Sequence, residues 1–64
     1  MKEKIGTNAG LVWQSLNEGA KEVKALKKAT KLNDKDLYAA LGWLAREEKI
    51  NFTETETDIL VSLC

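Results

Sequence analysis

The sequence of 64 residues has no histidine and a single cysteine, Cys64. Without histidine, the commonest general base and zinc ligand is missing, and one thiol can close no disulfide within the chain. No serine stands in a nucleophile motif and no glycine-rich phosphate loop is present. The usual constellations of hydrolases and nucleotide-binding enzymes are therefore excluded. Glu47 and Glu48 are neighbours on a predicted helix, so they diverge and cannot share a substrate. The sequence offers no catalytic residue, no metal-ligand set, no cofactor motif and no small-molecule substrate, and it reads as a non-enzyme. Long apolar runs are also lacking, because Gly6, Thr7, Asn8 and Gln14 interrupt the stretch after Lys2 and Lys4. Neither a signal peptide nor a membrane span is expected, and a reducing cytoplasmic setting is the default.

Net charge is absent too: ten lysines and arginines face ten aspartates and glutamates. No global field draws the protein toward nucleic acid or anionic lipid. The halves differ, however. Residues 1–32 carry seven lysines against three glutamates, a balance of +4, and residues 33–64 carry three bases against seven acids, a balance of −4. Any anion-binding surface should come mostly from the first half. A chain this short forms one domain, residues 1–64, whose core is near the lower limit for folding without disulfide or metal. Residues 1–6 are expected to be flexible.

Helical spacing of Ala9, Val12, Trp13 and Leu16 predicts a first helix, starting at a Thr7 or Asn8 cap and ending at Asn17 to Gly19. Trp13 is expected in the core, and Leu11 falls off the inward face. Ala20 to Glu22 follow as a short extended segment. VKALKKAT then predicts a second helix with Val23, Leu26 and Ala29 inward. At 100° per residue, Lys21, Lys24, Lys27, Lys28 and Lys31 fall in one stripe opposite that face. Asn33 is a strong cap for a third helix, with Asp36 at the N3 place of a shortened capping box and Leu32 and Leu37 as a hydrophobic staple. Leu37, Ala40, Leu41, Leu44 and Ala45 form its buried stripe, which ends near Glu48. Ile50 and Phe52, then Ile59, Val61 and Leu63, alternate with polar or outward residues as two strands. TETET between them predicts a loop of three to five residues.

Helix, short strand, helix, tight turn, helix and β-hairpin is the order of a winged helix-turn-helix domain, an α+β fold with three helices on a small antiparallel sheet. The run VKALKKATKLNDKDLYAALGWLAREEKI further resembles a family of short, stand-alone prokaryotic winged helix-turn-helix proteins of unknown function. The likeness extends from NAGLVWQSLNE through the closing hairpin. It implies the fold and a DNA-binding role, and it brings no ligand or catalytic residue.

Two functional readings stand side by side. In the first, the protein is a transcriptional regulator on double-stranded DNA. The lysines at 21, 24, 27, 28 and 31 meet phosphates while the third helix enters the major groove with Asn33, Lys35, Tyr38 and Arg46. In the second, the same scaffold is a protein-interaction module or homodimer without DNA binding, with Ala39, Gly42 and Trp43 as the interface. The stripe favours the first. Glu54, Glu56 and Asp58 in the hairpin, and Asp34 and Asp36 at the start of the third helix, favour the second. A solvated face is the plain alternative for the lysines, and the edge of the core for Trp43.

Overall fold

Apolar side chains spaced along three helices close over two positions of a small sheet. The computed structural model describes residues 2–64. Helix α1 spans Lys2–Leu16, strand β1 Lys21–Glu22, helix α2 Val23–Thr30, helix α3 Asp34–Arg46, strand β2 Ile50–Glu54 and strand β3 Ile59–Leu63. The sheet is antiparallel in the order β1-β3-β2. Its central strand pairs Val61 with both Lys21 and Phe52. The core combines Ala9, Val12 and Leu16 of α1, Val23 and Leu26 of α2, Leu37, Ala40, Leu41 and Leu44 of α3, and Ile50 and Val61 of the sheet. Three helices on a three-stranded sheet make this the winged helix-turn-helix fold that the order of elements implies.

Helix α1 begins before the expected cap. Residues 2–6 belong to the helix, while Met1 lies outside the described residues, and the Thr7 hydroxyl donates to the Glu3 carbonyl at 3.0 Å from within the helix. Asn8, the other proposed cap, is buried in mid-helix. The longer helix also moves the inward face. Half-buried Ile5 joins Asn8, Ala9, Val12 and Leu16, which rotates the centre of the face away from Trp13 at 100° per residue. Trp13 is consequently 42% exposed and outside the core. The same geometry corrects Ala29: the buried face of α2 runs through Val23 and Leu26 to half-buried Thr30, and Ala29 is exposed.

The joint between α2 and α3 is as tight as the sequence predicts. Lys31 takes the left-handed conformation at φ 60°, and its N–H donates to the Lys27 carbonyl at 2.9 Å. Asn33 then caps α3, its side-chain oxygen accepting from the Asp36 N–H at 2.8 Å. The expected reciprocal bond of the capping box is replaced by an ion pair, because the Asp36 carboxylate turns to Lys4. The cap is worth about 1 kcal/mol. Asn33→Ala should lower the unfolding free energy by that amount, read as a lower urea midpoint with an unchanged m-value.

The hairpin loop is residues 55–58, within the expected length. It is held by the Thr55 N–H and hydroxyl, each 2.8 Å from the Asp58 carbonyl, and by the Asp58 N–H on the Thr55 hydroxyl at 2.9 Å. Burial fades along the hairpin toward this loop. Ile50 is buried, but Phe52 and Ile59, which share its face, are exposed because the helices cover only the base of the sheet. Alternation sets Phe52 on the face of Ile50, as observed, but does not tell how far the helices reach along it.

Candidate nucleic-acid interface

The outer surface of α2 and α3 carries most of the residues that the sequence nominates. Lys24, Lys27 and Lys28 lie exposed on α2, and Lys31 is exposed at its C-terminal turn. Lys21 departs from the stripe. It belongs to β1, is half-buried, and is set by strand pairing opposite Val61 rather than by helical periodicity. On α3, Lys35, Tyr38, Ala39, Gly42 and Arg46 are all exposed, as is the cap residue Asn33. Asn33 has its side-chain oxygen engaged in the cap, so its amide nitrogen is the group left without a partner to approach a ligand. The α2 surface is concave, an open depression of about 670 Å³ lined by Glu22, Lys24, Ala25, Lys27, Lys28 and Leu32.

The two acids at the start of α3 are the main electrostatic obstacle to a polyanion, and both have cationic partners. Asp34 meets Lys27 of α2 at 2.8 Å, and Asp36 meets Lys4 of α1 at 3.3 Å. These exposed pairs contribute about 0–1 kcal/mol each to stability. Their larger effect is local neutralisation. Among the described residues the ion pairs are these two, so Lys24, Lys28, Lys31 and Lys35 keep their ammonium groups outside any ion pair. The sequence nominated neither Lys4 nor the pairing of Lys27, since no periodicity links α1 to the first turn of α3.

One hairpin acid has a structural role as well. Glu22 stands at the N-cap of α2 without a side-chain bond to the helix, and Asp58 fills the place from the hairpin, its carboxylate accepting from the Lys24 N–H at 3.2 Å. An anion at a helix N-terminus is stabilising there. Glu22 instead lies 3.3 Å from the Thr55 hydroxyl, as the longer branch of the bond that this hydroxyl donates to the Asp58 carbonyl. These two contacts tie the hairpin to the start of α2.

Lys31 is the strained member of the set. A non-glycine residue in the left-handed region costs about 1 kcal/mol or more, and glycine is the usual residue at this place in a helix C-terminus. Lys31→Gly should therefore raise the melting temperature by a few degrees. If Lys31 meets phosphate, the same variant binds duplex DNA more weakly, and the two readouts move in opposite directions.

The candidate interface residues Ala39, Gly42 and Trp43 are all exposed, on the outer face of α3 and its edge. Ala39 and Gly42 share the outer face of α3 with Lys35 and Arg46. Trp43 turns toward α1, where it lines a groove with Trp13.

Three helices, a tight α2–α3 joint and an antiparallel hairpin define a winged helix-turn-helix protein. Residues 1–63 match the model of the family described as Winged helix-turn-helix domain (DUF2582), and the chain belongs to that family. It is also similar to a solved structure, the solution NMR structure of protein BT2368 from Bacteroides thetaiotaomicron. The two are 33% identical with a TM-score of 0.86, and the match covers 97% of this chain and 77% of that one. None of the curated proteins matches the chain.

Proposed function

We propose that the protein binds double-stranded DNA and acts in transcriptional regulation. In this reading Lys24, Lys28 and Lys31, with Lys27 beside them, meet the phosphates, while α3 enters the major groove behind Lys35, Tyr38 and Arg46. Lys21 sits at the margin of the contact, and the free amide nitrogen of Asn33 reaches a phosphate or an adenine edge. The observation that carries this reading is the pairing of Asp34 with Lys27 and of Asp36 with Lys4. It relieves the repulsion at the turn of α3 that approaches base edges and leaves four lysines outside ion pairs around it. Gly42, exposed at mid-helix, costs about 1 kcal/mol relative to alanine and keeps the groove-facing surface low. The acidic hairpin contributes little to the contact, so the interface is narrower than in winged helices whose wing is basic.

Amide chemical shifts test this directly. Titrating a short random-sequence duplex into the labelled protein at low salt should move the resonances of residues 24–35, 38, 42 and 46, while those of 54–57 stay in place. Shifts confined to the hairpin, or none at all, would remove the reading.

The second reading, a protein-interaction module without DNA binding, is favoured by the half-exposed tryptophans on a face that the DNA contact leaves free.

A further inference from the structure

The two tryptophans of the chain, Trp13 on α1 and Trp43 on α3, are each 42% exposed and flank one groove of about 250 Å³. Its floor is Gly6, Ala9 and Gly10, and Leu44, Glu47 and Lys49 complete the lining. Tryptophan is the residue most enriched at the centres of protein interfaces. The glycines are unexplained within the protomer, because a Cβ at Gly6 or Gly10 would meet nothing within 4 Å. Alanine would fit both positions and would favour the helix. The surface thus places large apolar knobs beside an empty hollow.

We propose that this groove is the contact surface for a second copy of the chain, in a two-fold dimer with α1 packed antiparallel on α1 of its partner. A two-fold contact sets each patch against its own copy, so a usable patch must complement itself in shape and charge. Shape favours the groove: Trp13 lies seven residues after Gly6 and three after Gly10, on the same side of α1. In an antiparallel pair the Trp13 ring of one protomer therefore passes over the Gly6–Gly10 hollow of its partner. Charge selects the same face. The lysine surface of α2 and the hairpin with Glu54 and Glu56 are each dominated by one sign and would repel their own copies, whereas the groove bears one acid, Glu47, and one base, Lys49. The area suits a small contact. A helix of 15 residues is about 22 Å long. With α3 beside it, the face is about 20 Å wide, about 440 Å² in projection, which is the size of a weak, reversible dimer contact rather than of an obligate one. The charge dipole of the chain offers a competing mode, lysine face on acidic hairpin, but that contact is head-to-tail and generates open chains rather than dimers.

Sedimentation of the full chain, without DNA and with reductant to keep Cys64 as the thiol, decides between these. The expected result is a monomer–dimer equilibrium in the micromolar range that persists at high salt. Gly10→Arg and Trp13→Ala should each weaken it by at least about tenfold. Both variants should keep the far-UV circular dichroism of the wild type, since neither site is in the core. Dimerisation by Gly10→Arg equal to that of the wild type would overturn the inference. So would a wild type that stays monomeric at about 1 mM, or association that grows past the dimer and dissolves in salt. Because DNA takes no part, a negative result leaves the DNA reading standing.

Discussion

Reversing Lys24, Lys28 and Lys31 to glutamate together abolishes measurable binding to duplex DNA while the fold survives. Non-specific affinity is almost wholly electrostatic, with dissociation constants of roughly 10⁻⁴ to 10⁻⁶ M at physiological salt. The proposed surface has about four or five lysines for phosphate contact, so removing three and adding three repulsive charges weakens binding by roughly a hundredfold or more. Surface substitutions of this kind usually change stability by no more than about 0.5 kcal/mol, and all three lysines are exposed. The loss is therefore not a folding effect, and far-UV circular dichroism of the variant checks that. Replacing the three by glutamine should also weaken binding, by a smaller factor, because contacts are lost without repulsion being added. Lys49→Glu, away from the proposed surface, should leave the affinity within about twofold. Fluorescence anisotropy of a labelled duplex reads all four proteins. Retained affinity in the triple reversal would move the interface elsewhere.

Leu37→Ala removes about 2–5 kcal/mol of stability, the largest single loss expected in this fold. Leu37 is fully buried, in the first turn of α3, where it contacts a core with few other members. Large-to-small changes of this type cost about 2–5 kcal/mol, the transfer term and the cavity adding together. A domain of 64 residues has a stability of only about 3–10 kcal/mol, so one such loss consumes much of the margin. Urea denaturation followed by far-UV circular dichroism should show a much lower midpoint and a shortened native baseline. Leu11→Ala is the matched control, because Leu11 is 43% exposed and its truncation should cost less than about 0.5 kcal/mol. Comparable effects for the two leucines would mean that the core is not where the burial places it.

The parts of the fold that the sequence made legible are those governed by local rules. Asn33 announces the start of α3 because a capping side chain acts within one turn, and Leu37, Ala40, Leu41 and Leu44 announce the buried face because helical geometry alone aligns them. The α2–α3 joint followed from its length. What sequence periodicity missed depends on which neighbour covers which face. Trp13 fits an inward pattern when α1 is started at Ala9, and loses that place once Ile5 and Asn8 are included. Phe52 alternates correctly with Ile50, yet it is exposed because no helix extends over that part of the hairpin.

The candidate site divides along the same line. The exposure of Lys24, Lys27, Lys28, Lys35, Tyr38 and Arg46 could be read from opposition to the apolar stripe. Lys21 could not be placed, because the chain changes from strand to helix between it and Lys24, and a helical wheel does not apply across that boundary. The partners of Asp34 and Asp36 were invisible for a different reason. An ion pair between α1 and the start of α3 is a tertiary contact without a periodic signature. The fold shows that these acids, which on sequence alone argue against a polyanion, meet lysines that α1 and α2 bring beside them. The spacing of Gly6, Gly10 and Trp13 was a signal present in the sequence, legible as one side of α1 once that helix is known to begin at Lys2.

The central claim is that a small patch of lysines outside ion pairs at the start of α3 binds the phosphates of duplex DNA. Its most direct test is the affinity of the wild-type protein for a random duplex, measured as a function of salt. With about four phosphate contacts, log K should fall linearly with log salt at a slope of roughly −3 to −4. No binding at the lowest salt, or a slope near zero, would contradict the account.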